Sequence, residues 1–299
     1  LRVNPNNPAD PGDFVCDLCV GDVPKPSNKG KTYTFKLRSG VKFHDGTPLT
    51  SADVKASFDK IIFPPEGVSS ARKSFYQMVD SVAAPDPTTV VFNLKYASSA
   101  FIPALAAPYN FIYSKAKLDA DIHWYEKNIL GSGPFILEEY QSGAQITGRK
   151  NPDYYLKGQP YLVKITGVFA NKESIQVQAL RGNRASAQFR GFPPKTRDDL
   201  VAALGDKATV QESDWNCVLL ATPNHSVKPF NDVRVRRALT LAVDRWGGSK
   251  YLSKIAIVKT VGGIVFPGSN LAATKEELLE MDGYREDLEA SRERARSLL

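Results

Sequence analysis

The chain has 299 residues, 42% of them hydrophobic and 24% charged, with a formal net charge of +7. That composition is ordinary for a globular protein and leaves room for two domains or three lobes. It contains no run of about eighteen apolar residues, the length a membrane-spanning helix needs. Its basic residues, such as Lys36, Arg38, Lys42, Arg234, Arg236 and Arg237, are dispersed rather than interleaved with aromatics, so nucleic acid is not an expected partner.

In chain order, the first feature is the pair Cys16 and Cys19, a C-x-x-C. Such a pair suits a tight disulfide, a thiol pair or half of a zinc site. No second C-x-x-C or H-x-x-x-H completes a zinc set, His44, His123 and His225 are far apart, and flanking prolines and glycines read as loop. No metal is expected. Tyr33, Phe35 and Leu37 then alternate with Thr34, Lys36 and Arg38, the period of a strand with one buried face. Ser39-Gly40 breaks this strand, Val41 to Phe43 resumes it, and Asp45-Gly46 ends it with turn chemistry. Thr50 and Asp53 have capping-box spacing, and Val54, Phe58, Ile61 and Ile62 follow as the apolar stripe of a helix.

Met78 to Val82 and Val90 to Leu94 predict a hairpin around Pro85-Asp86-Pro87, and Ser99 to Ala107 a short helix that contains Pro103. Phe135 to Tyr140 and Gln145 to Arg149 flank a Gln-Ser-Gly turn, and Val163 to Phe169 is a further strand. Asn171 is the predicted cap of a helix stopped by Gly182, and Thr196 with Asp199 marks a second start, stopped by Gly205. Trp215 to Ala221 reads as a strand. Asp232 begins a helix with the stripe Val235, Ala238, Leu239, Ala242 and Val243. The last helix has only Leu288, Ala295, Leu298 and Leu299 to bury.

No catalytic residues emerge. Gly131-Ser132-Gly133 lacks the spacing of a nucleophile elbow. Glu138 and Glu139 are neighbours on a strand and so point to opposite faces. No phosphate-binding or dinucleotide glycine pattern occurs, and no cofactor is expected.

Three blocks, in order, resemble a family. They are Lys31-Thr-Tyr-Thr-Phe-Lys-Leu-Arg-Ser-Gly-Val-Lys-Phe-His-Asp-Gly-Thr-Pro-Leu-Thr-Ser-Ala-Asp-Val-Lys55; Gly131-Ser-Gly-Pro-Phe-Ile-Leu-Glu-Glu-Tyr140 followed by Lys150-Asn-Pro-Asp-Tyr-Tyr155; and Lys228-Pro-Phe-Asn-Asp-Val-Arg-Val-Arg-Arg-Ala-Leu-Thr-Leu-Ala-Val-Asp-Arg245. Together they resemble the extracytoplasmic solute-binding proteins of ABC transporters, in the peptide- and nickel-binding branch. The basic stretch Arg181 to Arg190 departs from the pattern, since the family usually carries an acidic turn there.

The resemblance implies an α/β, type II periplasmic-binding-protein-like fold (cluster C) with an extra lobe. Residues 1–130 would form that lobe, 131–213 part of one core domain and 214–299 the start of the other, with the C-terminal lobe truncated relative to the longer family chains. It implies a peptide or other small solute as ligand, permease subunits of an ABC importer as partners, a monomer, and a periplasmic or extracytoplasmic location, free or lipid-anchored. In an exported protein a local disulfide leads the readings of Cys16 and Cys19. Trp215, Asn216 and Cys217, where the chain passes between core lobes, are the first candidate ligand contacts. Tyr109 and Asn110, from the extra lobe, are the second. A second function class is an orphan member of the fold, acting as sensor or chaperone without transport.

Overall fold

In the computed structural model, which describes residues 1–7, 10, 12–211, 220–255, 261–265, 267, 269 and 271–299, the early apolar alternation becomes a sheet covered by one helix. Contacts divide the chain into two units, Leu1–Phe169 and Ala170–Leu299.

In the first unit, β1 (Arg2–Val3) pairs antiparallel with β2 (Phe14–Val15). The Cys16–Cys19 disulfide follows, and Cys19 makes an antiparallel bridge to Leu37. β3 (Thr32–Lys36) buries Tyr33 and Phe35 and exposes Thr34 or Lys36 between and beyond them, as the period of two requires. Val41 to Phe43 does not resume the strand; only an isolated bridge joins Lys42 to Pro48, because the backbone turns there around Asp45-Gly46. α1 (Ser51–Ile62) begins at the expected capping box, with Thr50 N–H donating to Asp53 Oδ2 at 2.8 Å. Asp53 does a second job: its Oδ1 accepts from Lys115 N at 2.8 Å, tying the start of α1 to a segment 62 positions later.

β4 (Val79–Asp86) and β5 (Thr89–Leu94) form the hairpin, and the sheet order β3-β5-β4 puts β5 in the middle. Every residue of β5 except Val91 and Asn93 is buried, which suits a strand with neighbours on both sides and α1 over one face. Phe92, 2% exposed, lies with its ring centroid 5.9 Å from Phe35, 5.1 Å from Phe58 and 5.3 Å from Phe101. Each ring so buried stabilises the fold by about 1.5–3 kcal/mol. Phe101 opens α2 (Phe101–Ala106), where Pro103 sits in the first turn and its missing N–H breaks no helical bond. α3 (Lys115–Ala120) follows.

β6 (Phe135–Gln141), β7 (Gln145–Lys150) and β8 (Lys164–Val168) make a second antiparallel sheet in the order β6-β7-β8. A register shift between Leu137 and Glu139 interrupts the alternation of β6.

The second unit contains α4 (Glu173–Arg181), α5 (Pro194–Leu204), α6 (Val233–Ala242), α7 (Arg245–Ile255), α8 (Lys275–Glu280) and α9 (Leu288–Leu298). Three expectations need correction. Lys172, not Asn171, is the N-cap of α4, and no side chain caps it. α5 starts two positions before Thr196 with a proline in its first turn, whose fixed φ suits a helix start; Thr196 instead donates to Glu173 Oε1 at 2.5 Å. On α6 the buried face is Ala238 and Leu241, while Leu239, Ala242 and Val243 are exposed, because α9 packs against the former side through Ala295. Gly182 and Gly205 do end their helices, and Asp232 caps α6 by accepting from Arg234 N at 2.8 Å. The strand expected over Trp215 to Ala221 falls, up to Leu219, outside the described residues.

Two outcomes follow from this packing. Phe92→Ala should lower the unfolding free energy of the first unit by about 3–5 kcal/mol, the usual cost of a buried Phe truncation; a urea titration giving a loss below about 1 kcal/mol would contradict the assigned core. At the β4–β5 turn, hydrogen bonds from the Thr89 hydroxyl and from Thr88 hold the Asp86 carboxyl down at about 2. A depressed carboxylate stabilises the fold above its unfolded value of about 3.9, and that contribution fades as pH falls through the folded value. A carbon NMR titration of Asp86 should therefore have its midpoint near 2. A midpoint at the ordinary value would remove these bonds from the turn.

Candidate functional site

Two polar constellations stand out in the first unit. The first joins two of the three sequence blocks quoted above. Asp45 Oδ1 accepts from Thr47 N at 3.1 Å and from the Thr47 hydroxyl at 2.6 Å, bonds that lower the Asp45 carboxyl from its ordinary range and set the turn. Gly46 within it has φ +85°, a conformation that favours glycine. The turn presents His44, whose backbone N–H donates to Gly131 O at 2.8 Å. Its Nε2 lies 3.0 Å from Gly133 O, which assigns the ring proton to Nε2, since a carbonyl only accepts. Buried Asn151 donates from Nδ2 to the same Gly133 O at 2.9 Å and accepts from Asp153 N at 3.0 Å. Tyr155 donates to Asp17 Oδ1 at 3.0 Å, and Arg38 Nε donates to Asp17 O at 2.6 Å. Burial, reinforced by the nearby Asp17 charge, raises the Tyr155 hydroxyl well above its ordinary value. The Arg38 guanidinium sits 5.8 Å from the centre of the Tyr155 ring. Here the polar groups bond one another or the backbone, so this junction positions segments.

The second constellation holds two of the predicted site residues. Tyr109 is 64% exposed. Asn110 is held on every side: Nδ2 donates to Ala104 O at 2.7 Å and Leu105 O at 3.1 Å, covering carbonyls of α2. Its Oδ1 accepts from Arg72 Nη1 at 3.2 Å and lies 2.9 Å from the Tyr76 hydroxyl. That hydroxyl is also 2.9 Å from Ala104 O and, having one proton, donates to one of the two. Burial pushes the Tyr76 hydroxyl up to about 12. Arg72 Nη1 also donates to Tyr109 O. Arg72 was not legible as a site residue, for it lies in a polar stretch without periodicity, and its partners are 37 and 38 positions away. Trp215, Asn216 and Cys217 lie outside the described residues.

Several charged side chains outside these constellations form surface pairs. Glu138 pairs with Lys164 at 2.7 Å, and Glu139 accepts from Gln141 at 2.6 Å. His123 and Glu126 form an exposed pair at 2.5 Å. Among the described residues, no group of His, Cys, Asp and Glu is arranged to hold a metal, and no helix is long and apolar enough to cross a membrane.

Comparison with known proteins gives a consistent result. The profile described as "Bacterial extracellular solute-binding proteins, family 5 Middle" matches residues 21–262. Glutathione-binding protein GsiB of Escherichia coli (strain K12) is 33% identical over 232 residues, covering 73% of this chain and 42% of that protein. The PBP AgaA from A.tumefacien R10, solved in complex with agropinic acid, matches with a TM-score of 0.67 at 28% identity, over 91% of this chain and 52% of that one. The oligopeptide-binding protein AppA from Bacillus subtilis, solved with a nonapeptide, matches in fold with a TM-score of 0.70 at 23% identity, over 97% of this chain and 56% of that one. The chain thus spans less than half of GsiB and about half of the two solved chains.

The clasp around Asn110 separates two roles experimentally. Asn110→Ala leaves the α2 carbonyls and Tyr76 short of partners and should lower stability by about 1–3 kcal/mol. Tyr109→Ala, with an exposed ring, should stay within about 0.5 kcal/mol of the parent. Equal urea midpoints for the two variants would contradict the clasp.

Proposed function

This chain belongs to family 5 of the bacterial extracellular solute-binding proteins, and from that premise we propose that it is part of the solute receptor of an ABC importer. Its fold is the α/β, type II periplasmic-binding-protein-like one, shared with AppA. The observation that carries the reading is the match over residues 21–262, which takes in the three sequence blocks, two of them joined at the His44 junction. The cargo in this reading is a peptide or a similar small solute. The support is that GsiB is named for glutathione and AppA was solved with a nonapeptide.

The protein captures cargo and performs no chemistry on it. Two lobes close over the ligand, and the closed form is favoured because only there does the ligand touch both walls. Affinity comes from apolar and aromatic lining with a few fixed polar groups. The candidate cargo contacts in this reading are Trp215, Asn216 and Cys217, and, in the first unit, Tyr109 with Asn110. The three-region division at residues 130 and 213 belongs to this proposal, as do a monomeric state, an extracytoplasmic location and docking of the closed form on membrane permease subunits.

Native mass spectrometry of the full-length protein tests the reading. A co-purified adduct of peptide mass is expected, and so is a rise in melting temperature with added peptides. Trp215→Ala should weaken binding by about 1–3 kcal/mol, the value of an apolar side chain removed from water. Absence of any adduct together with no thermal response to peptides would contradict the proposal. Unchanged affinity with a lowered melting temperature would assign Trp215 to the core instead.

A further inference from the structure

Arg72 is a guanidinium fixed in place without a carboxylate. It is half-buried, immediately before a 3-10 turn, Lys73–Tyr76. Nη1 donates to Tyr109 O and to Asn110 Oδ1, and Asn110 is itself anchored to Ala104 O, Leu105 O and the Tyr76 hydroxyl. Bonds from a separate loop therefore hold the cation before any ligand arrives, which removes much of the side-chain entropy that a free arginine would lose on binding. Among the described residues no Asp or Glu forms an ion pair with it, and its Nε and Nη2 have no hydrogen-bond partner. Those two nitrogens form one edge of the planar fork, which presents two parallel N–H bonds at the spacing of a carboxylate. Three rings near this edge in sequence are open to solvent: Phe75 at 59%, Tyr109 at 64% and Phe111 at 59% exposed. A held cation with exposed rings close by in sequence suits a ligand with an anionic end and an apolar body.

We propose that the Nε–Nη2 edge of Arg72 binds the carboxylate of an organic acid whose apolar part lies on Phe75, Tyr109 and Phe111. The assignment rests on the solute-capture reading and narrows it to carboxylate-bearing solutes. A lysine cannot replace the arginine here, since it offers a point charge rather than a fork.

The test uses this chain with phenylacetate and its neutral counterpart phenylacetamide, followed through the guanidinium Nε–H resonances by nitrogen-labelled NMR. Phenylacetate should shift the Arg72 resonance saturably, with at least about ten-fold tighter binding than phenylacetamide, as expected when a charge-assisted pair is lost. Arg72→Gln should abolish that preference, and Arg72→Lys should keep only a weak remnant, while the backbone spectrum of both variants stays that of the parent away from the two loops. The assignment is overturned by an absent shift with phenylacetate, by equal binding of the amide, or by a preference that survives Arg72→Gln. Because the probes are small acids rather than cargo, peptide adducts on a protein whose Arg72 does not respond would overturn this assignment alone and leave the capture reading standing.

Discussion

Burial of Phe92 is the interaction on which the first unit depends. Its strand is the middle one of the sheet, and its ring meets Phe35 from the neighbouring strand, Phe58 from α1 and Phe101 from α2. Those contacts fix where α1 and α2 lie, and the loop that carries Tyr109 and Asn110 inherits its position from them. The loop leaves α2 just after the helix that Phe101 begins, and it returns under α1, where Tyr113 N donates to Ser57 Oγ at 2.7 Å and Lys115 N to Asp53 Oδ1 at 2.8 Å. Tyr109 and Asn110 are therefore held from both ends by the core. The exposed ring of Tyr109 is displayed by a loop anchored at both ends.

The His44 junction extends the same logic to the second sheet. A turn at the end of the first motif bonds Gly131 and Gly133, the residues that lead into β6. Asn151, at the end of β7, bonds Gly133 from the other side. Local sequence chemistry at one turn thus determines how the hairpin β6–β7 leaves the first region.

Much of this architecture was legible because its causes are local. The period of two in Tyr33, Phe35 and Leu37, the Thr50–Asp53 box, and the hairpins over β4–β5 and β6–β7 all rest on neighbours within a few residues. What escaped depends on distant partners. The buried face of α6 is set by α9, which no stripe on α6 can announce. Pro194 displaced the expected start at Thr196 by offering a better first turn. Tyr109 and Asn110 could be singled out from sequence as candidates. The use of Asn110 as a clasp, and the presence of Arg72 beside it, follow from contacts 34 to 38 positions apart that only folding creates.

In the proposed function this chain is part of a receptor whose lobes close on a solute. Small-angle X-ray scattering of the full-length protein tests that claim most directly, because the radius of gyration reports closure whatever the cargo's identity. A smaller radius of gyration is expected for the cargo-saturated protein than for the same protein stripped of cargo. Identical scattering curves for the two, with cargo bound stoichiometrically, would contradict it.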